Sequence, residues 1–150
     1  MTPLPDLRLT GATLLRDGIL QDDAITLAEG RIADHAAPEI DLSSYWILPG
    51  IIDLHGDGFE HHLRPRPTAP FEPRRALLNA DAELAANGIT TAWFAQSWSW
   101  EGGSRSADTA EEVMEAVAAM RGRFLSDIRV QVRFETHMFE DHDRLLAAVR

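Results

Sequence analysis

The sequence predicts an α/β fold, and three observations support this. From residue 47 onward, apolar segments typical of strands alternate with segments of helical spacing, in the order β, α, β, α, β, α. Short alternating segments with turn signals precede them. Alternation of strand and helix favours parallel strands joined by right-handed crossovers. We therefore predict two parts, residues 1–46 with short strands and residues 47–150 with three β/α units.

Charge and composition exclude several classes of function. The 150 residues carry a net charge of −10, which argues against a nucleic acid or an anionic membrane as partner. Cysteine is absent, so a metal would have to be held by histidine and carboxylate side chains. No apolar run approaches the ~20 residues that span a bilayer. The N-terminus lacks the basic and apolar regions of a signal peptide, and we expect a cytoplasmic location.

The first part is predicted to consist of short strands and tight turns. Alternation of apolar and polar residues indicates the strands, and glycine after an acidic residue indicates the turns. A segment with one proline, residues 36–44, is predicted to be a linker. The predicted strands and turns are Leu7–Thr10, a turn at Arg16–Gly18 before Ile19, Ala24–Ala28, a turn at Glu29–Gly30, and Arg31–Ala33.

The first strand of the second part is followed directly by metal-capable residues. Tyr45–Ile52 has the length and branching of a buried strand. Asp53, His55 and Asp57 follow at a spacing of two, and alternate strand residues share a face. We therefore predict that these three side chains point the same way. His-x-Asp at the end of a buried strand favours a metal site over a core.

The remaining elements are predicted from periodicity and from helix and turn signals. Pro73 can occupy the first position of a helix, and Gly88 can end it. Thr109 and Glu112 fit a capping box, with Asp108 as the alternative cap. The predicted segments are a proline-rich loop from Arg64, a helix from Pro73, a strand from Ile89 to Ala95, a loop over residues 96–104, a helix with Val113, Val117, Met120 and Phe124 inward, a strand over residues 128–134, and a helix from Asp141.

The third strand also ends in metal-capable residues. Its apolar side chains should face the helices, so the alternating polar set faces the other way and continues to Glu135 and His137. Functional sites of parallel β/α folds lie at the carboxyl ends of the strands. Two strands would thus bring imidazole and carboxylate groups to one place. The candidate metal ligands are His55, Asp57, Glu135 and His137; the alternative is an ordinary strand end or turn.

The loops that follow the first two strands carry further candidates. Adjacent His61 and His62 should point apart in an extended chain, so only one of them is expected to enter a site. Arg64 and Arg66 lie two apart in the proline-rich loop, and guanidinium groups bind phosphate oxygens through two donors. The alternative for both arginines is an ordinary surface position. Trp98 and Trp100 would line a pocket or pack against a neighbouring loop or subunit, which leaves a homo-oligomer open.

The string Pro-Gly-Ile-Ile-Asp-Leu-His-Gly-Asp, residues 49–57, resembles the strand-1 motif of the amidohydrolase superfamily. This superfamily consists of metal-dependent hydrolases built on a β/α barrel and usually has His-x-His there. His-x-Asp, followed by Glu-His-His-Leu-Arg-Pro-Arg-Pro at residues 60–67, is closer to the phosphonate-metabolism diphosphatase branch. Members of that branch hydrolyse ribose 1-methylphosphonate 5-triphosphate to the 5-phosphate and pyrophosphate.

The resemblance implies the first part of a (β/α)8 TIM-type barrel, preceded by a small N-terminal β-sandwich. It implies a divalent metal, zinc as one or two ions, with manganese and iron also compatible. His55 and Asp57 would be first-strand ligands, Glu135 the acidic ligand, and His137 a further ligand or a substrate contact. His62 aligns with a histidine of the branch and, with both loop arginines, would bind a small phosphorylated substrate.

Three alternatives remain open. A doubly wound sheet also fits three β/α units, an amidase or deaminase could use the same metal ligands, and a non-catalytic interaction domain would use none. A barrel needs ~250 residues, and the sequence ends within the helical pattern of residues 145–150. We therefore expect the later strands beyond residue 150. In the superfamily these strands carry the remaining ligands and the aspartate that acts as general base, so the base is not assigned.

Overall fold

A computed structural model describes residues 4–150. The chain forms two compact units, Met1–Pro49 and Gly50–Arg150. Residues 1–3, on which the expectation about a signal peptide partly rests, lie outside the described residues. Among the helices of residues 4–150, none combines the length and apolar character that a membrane crossing requires.

Within residues 4–49, the first unit contains two sheets made of seven short strands. One sheet has the strand order β5-β4-β1-β6 and the other has the order β3-β2-β7. The pairs β1–β4, β4–β5 and β2–β3 are antiparallel, whereas β1–β6 and β2–β7 are parallel. The strands are β1 (Leu7–Thr10), β2 (Thr13–Arg16), β3 (Ile19–Asp22), β4 (Ile25–Ala28), β5 (Arg31–Ala33), β6 (Glu39–Asp41) and β7 (Trp46–Ile47).

The predicted turns of this unit are confirmed, but the linker is not. Asp17 and Gly18 both have positive φ, 53° and 80°, between the paired strands β2 and β3. Two such residues are what a two-residue hairpin of primed type requires. The predicted linker, residues 36–44, instead contains β6, which pairs with β1. This strand is only three residues long and exposed, so it shows no alternation from which it could be predicted.

The second unit has three parallel strands connected by helices. Its strand order is β10-β9-β8, so neighbours in the sheet are also neighbours in sequence. The predicted alternation and parallel pairing are confirmed. The elements are β8 (Ile51–Gly56), α1 (Glu60–Leu63), α2 (Pro73–Ala86), β9 (Ile89–Trp98), α3 (Ala107–Met120), β10 (Asp127–Phe134) and α4 (His142–Ala148), with 3-10 turns at Gly103–Arg105 and Phe139–Asp141.

The larger of two apolar clusters in this unit joins α2 and α3 to one face of the sheet. Phe94 of β9 stacks on Phe59, with ring centroids 4.4 Å apart and planes at 9°. Offset stacking and apolar burial both stabilise this contact. Because the apolar residues of β10 pack on the helices, its alternating polar residues face the other side, as predicted. The core includes Leu63, Ala76, Leu77, Ala80, Ala92, Val113, Ala116, Val117 and Ile128.

The prediction of one buried strand over Tyr45–Ile52 is wrong. The segment is divided into β7 and β8, and residues 48–50 between them belong to neither strand. β8 lies at the edge of its sheet, with β9 as its one neighbour within residues 4–150. Consequently Ile51, Ile52 and Leu54 are 55%, 60% and 67% exposed. The apolar composition predicted burial, but an edge position leaves these side chains uncovered.

The predicted end of β9 and the predicted start of α3 are also wrong. β9 continues to Trp98, past the predicted end at Ala95, because Phe134 of β10 pairs with Trp98. The helix α3 is capped by Ser106, not by Asp108 or Thr109; Ser106 Oγ accepts the Thr109 backbone N–H at 3.1 Å. A serine at this position satisfies an otherwise free N–H of the first turn.

Asp81 connects α2 to the segment that leads into β10, and we predict that this connection stabilises the second unit. Its buried carboxylate accepts the backbone N–H groups of Leu125 at 2.7 Å and Ser126 at 2.9 Å. Asp81→Ala should lower the free energy of unfolding by about 2–4 kcal/mol, because two N–H groups lose a charged acceptor. Urea denaturation measures this. Asn79→Ala, at an exposed position of the same helix, should change it by less than about 0.5 kcal/mol; equal effects would contradict the prediction.

Candidate functional site

His55 lies on the sheet face opposite the helices, and a β-bulge places it there. Asp53 pairs with Ala92 and Gly56 with Phe94, so β8 advances three residues where β9 advances two. Ala92 and Phe94 are both in the core under the helices. The extra residue reverses the alternation after Asp53. The prediction that Asp53 and His55 share a face is therefore wrong.

The bulge is stabilised by Asp53, and Gly56 leaves room for the Asp53 carboxylate. Asp53 Oδ1 accepts the His55 backbone N–H at 3.0 Å. A Cβ atom on Gly56 would lie 2.5 Å from Asp53 Oδ2, which is closer than real Cβ contacts. Asp53 and Gly56 thus act together to set the direction of the His55 side chain.

The imidazole of His55 is held by a residue that the sequence analysis did not single out. His55 Nδ1 is 2.8 Å from Gln131 Oε1, the side chain of an exposed β10 residue. With Nδ1 donating to this amide oxygen, Nε2 carries the lone pair that a metal ligand needs. Gln131 belongs to the polar set of β10, so its face was predictable, but its contact with His55 was not.

Glu135 and His137 follow β10 and lie close together. The Glu135 backbone N–H donates to Trp98 O at 3.4 Å, which extends the pairing of β9 and β10. Glu135 Oε2 is buried and has no hydrogen-bond partner within residues 4–150. His137 Nε2 lies 3.2 Å from this oxygen, although not in hydrogen-bonding geometry. A buried carboxylate oxygen without a donor suits a cation, and the metal role of Glu135 stays a prediction.

The four predicted metal ligands do not form one compact cluster. Within residues 4–150, no three of His55, Asp57, Glu135 and His137 have ligand atoms all within 4.8 Å of one another. β8 and β10 lie on either side of β9, and neighbouring strands are about 4.8 Å apart, so their ends are roughly 10 Å apart. A shared metal site at the strand ends stays a prediction.

Asp57, Arg64 and Arg66 line two adjoining concavities. Asp57 and Arg64 border one of about 400 Å³, together with Glu60 and His61. Arg64 and Arg66 border another of about 430 Å³, together with the loop of residues 101–105. The structure therefore brings both predicted phosphate-binding arginines to one concavity, and it places the predicted ligand Asp57 beside Arg64.

Arg105 is a third arginine of this surface, and the sequence analysis missed it. The Arg105 guanidinium donates to Glu101 Oε2 at 3.0 Å, and this bond, with the charge of Glu60, raises the pKa of Arg105 above its usual value. Gly102 and Gly103, at φ 73° and 62°, turn the loop back toward Arg64. In the sequence, Gly102-Gly103-Ser104-Arg105 after a predicted strand was the signal that could have indicated this arginine.

His61 and His62 do not point apart, so that prediction is wrong. Both lie in the single turn α1, not in extended chain, and both Nε2 atoms approach Glu83 Oε2 of α2, at 3.4 and 2.7 Å. His62, Glu83 and Asp53 line a cavity of about 180 Å³ on the helix side of the sheet. Glu83 was not a candidate because 21 residues separate it from His62 in the sequence.

The two tryptophans have different surroundings. Trp98 is fully buried in the core, and its Nε1–H donates to Asp141 Oδ2 at 2.8 Å. Trp100 is 70% exposed and borders a concavity with His137. Of the two roles considered, Trp98 packs within its own unit, and Trp100 lines a surface next to a predicted ligand.

Comparisons with known proteins give limited similarity. No protein-family model matches the chain. Over 46 residues, 31% of this chain, it is 41% identical to alpha-D-ribose 1-methylphosphonate 5-triphosphate diphosphatase from Escherichia coli K12. A crystal structure of an uncharacterized protein superimposes with a TM-score of 0.47 at 20% identity, over 83% of this chain. The chain spans 12% of the diphosphatase and 31% of that structure.

The contact between Asp53 and Gly56 gives a prediction with an internal control. Gly56→Ala should lower the free energy of unfolding by about 1–3 kcal/mol, because the added Cβ forces the Asp53 carboxylate to move. Gly58→Ala should have little effect, since no atom lies within 4 Å of a Cβ at that position. Chemical denaturation gives both values. A Gly56→Ala protein as stable as the Gly58→Ala protein would mean that the bulge tolerates a side chain.

Proposed function

We propose that this protein is a metal-dependent hydrolase that releases pyrophosphate from a ribose 1-phosphonate 5-triphosphate. The observation that carries the proposal is the local similarity, 41% over 46 residues, to a diphosphatase of that name. The His-Gly-Asp string at residues 55–57 and the Arg-Pro-Arg string at residues 64–66 support it chemically. In this proposal the activity belongs to the complete protein, in the cytoplasm.

The proposed architecture is the start of a (β/α)8 barrel after an N-terminal β-sandwich. Three parallel strands in sequential order, with the helices on one face, are compatible with it. A barrel would enclose the opposite face, where His55 and Gln131 lie. The exposed apolar edge of β8 would then pair with a further strand. Residues 1–46 and 47–150 are the proposed domains.

The proposed metal ligands are His55, Asp57, Glu135 and His137, with zinc as the proposed ion. Imidazole and carboxylate groups are common zinc ligands, and the buried oxygen of Glu135 that lacks a donor is compatible with this role. A bound divalent ion supplies Lewis acidity toward a phosphoryl group and lowers the pKa of water. The hydrogen bond to Gln131 orients His55 so that its Nε2 could bind the ion. Asp57 borders the same concavity as Arg64.

The proposed role of Arg64 and Arg66 is to bind the phosphate chain. A triphosphate carries several negative charges, and the protein has a net charge of −10, so local positive charge must favour its approach. Arg64, Arg66 and Arg105 border one concavity at the end of the sheet where β9 finishes. Guanidinium groups also stabilise the charge that develops on a phosphoryl group during transfer.

The reaction is tested with the complete protein and a ribose 5-triphosphate that bears a phosphonate at C1. We expect pyrophosphate release that stops on addition of a chelator and is abolished by His55→Ala, because this histidine is a proposed ligand. His142→Ala, at an exposed position of α4, should retain full activity. Pyrophosphate detection with phosphorus NMR measures the product directly.

A parallel panel of N-acyl amino acids, cyclic amides and aminopurines separates the alternatives. Turnover of this panel, but not of the triphosphate, would mean that the protein is an amidase or a deaminase. No turnover at all, together with no bound metal, would mean that it is a non-catalytic interaction domain.

The proline-rich loop that carries Arg64 and Arg66, which we call the arginine loop, gives a second prediction. Arg64→Ala with Arg66→Ala should reduce kcat/KM for the triphosphate by about 100-fold or more, since two charge-assisted hydrogen bonds are lost and each contributes about 1.5–3 kcal/mol. Metal content should not change. The matched control is Arg121→Ala with Arg123→Ala, an exposed pair with the same spacing. Unchanged kinetics in the Arg64 and Arg66 double variant would assign both residues to ordinary surface positions.

A further inference from the structure

We propose a separate binding site for zinc or a similar divalent transition-metal ion, formed by His61, His62 and Glu83. These residues, which we call the helix-side triad, have ligand atoms all within 4.8 Å of one another. Within residues 4–150, no other group of three or more such side chains meets this criterion. The proposal rests on this geometry and does not depend on the proposed hydrolase activity.

Two neighbouring elements hold the triad in place. α1 is a single turn fixed by the buried side chains of Phe59 and Leu63, which belong to the same core as α2. His61 and His62 project from α1 with ring centroids 3.9 Å apart and planes at 39°. Glu83 projects from the last turns of α2. Both histidines therefore face a carboxylate on a well-packed helix.

The two distances from the histidines to Glu83 suit an ion after only small movements. The Nε2 atoms of His62 and His61 lie 2.7 and 3.4 Å from the same oxygen, Glu83 Oε2. Around tetrahedral zinc, ligand bonds of about 2.0–2.1 Å place neighbouring ligand atoms roughly 3.3 Å apart. To reach this spacing, the distance from His62 Nε2 to Glu83 Oε2 must increase by about half an ångström. The distance from His61 Nε2 to the same oxygen needs almost no change.

The ligand types select the ion. Two imidazoles with one carboxylate suit zinc and neighbouring transition metals, whereas calcium and magnesium prefer oxygen ligands alone. Three protein ligands leave a fourth position free for water. The cavity of about 180 Å³ beside His62 and Glu83 offers room for it, and Asp53 and Asn87 also line this space.

A hydrogen bond between His62 and Glu83 is the simpler alternative, and His61 distinguishes the two. His62 is 17% exposed and makes this hydrogen bond, while His61 is 59% exposed and makes none to Glu83. In that alternative, charge attraction alone brings the exposed His61 Nε2 to 3.4 Å from an oxygen that His62 already contacts. A shared cation explains why both rings converge on it.

An ion at this site would organise the arginine loop. It would connect α1 to α2 across the start of the loop that carries Arg64 and Arg66. Arg64 follows α1 directly, and its backbone N–H donates to Glu60 O at 2.9 Å. The helix-side triad would therefore fix the position of both arginines.

The test counts bound ions in the complete, tag-free protein after dialysis against a chelator and reloading with Zn²⁺. Elemental analysis should show one equivalent fewer in His61→Ala and in Glu83→Gln than in the parent protein. His142→Ala and Glu112→Gln replace exposed residues of the same types on α4 and α3 and should keep the full count. In His55→Ala the helix-side ion should remain, so failure of the strand-end site and failure of this site are distinguishable.

Two further readouts do not depend on catalysis. Co²⁺ loaded in place of Zn²⁺ should give visible absorption bands of a site with imidazole ligands, and His61→Ala in the His55→Ala background should remove them. Zn²⁺ should also raise the melting temperature of His55→Ala by roughly 3 °C or more, but not that of the double variant. An unchanged metal count in both His61→Ala and Glu83→Gln would overturn the proposal.

Discussion

The pairing of β9 with a parallel strand on each side is the constraint on which the second unit depends. β9 is buried along its second half, and it fixes β8 and β10 by hydrogen bonds along both edges. The candidate residues at the strand ends are positioned by their contacts with β9. The bulge of β8 is a shift of its register on β9, and the Glu135 N–H donates to Trp98 O. Tight packing of Phe94 and Trp98 under α2 and α3 makes this frame rigid.

The bulge in β8 divides the candidate chemistry between the two faces of the sheet. Before it, Asp53 pairs with Ala92 of the core and lines the helix-side cavity; after it, His55 reaches Gln131 on the opposite face. One extra residue in an edge strand is enough to move the following side chains to the other face, because strand side chains alternate with a period of two. The proposed hydrolase ligand and the helix-side triad therefore lie on different sides of one short strand.

Local charge near the arginine loop differs from that of the whole protein. The net charge is −10, yet Arg64, Arg66 and Arg105 border one concavity. Arg105 is held by Glu101 and lies 3.9 Å from Glu60 Oε1, a buried oxygen with no hydrogen-bond partner within residues 4–150. The acidic residues thus position this guanidinium as well as offset its charge, which leaves Arg64 and Arg66 as the freer cations for an anionic ligand.

The sequence by itself determined the features that depend on neighbours in the chain. The Asp17–Gly18 turn, the helix start at Pro73 and the two faces of β10 follow from local conformational preference and from a period of two or 3.6 residues. Only the tertiary structure decided the bulge at Asp53–Gly56, the exposure of β8, the burial of Trp98 and the approach of His61 and His62 to Glu83. Each of these depends on which segments meet in space, and contacts between residues 21 or more positions apart leave no periodic signal in the sequence.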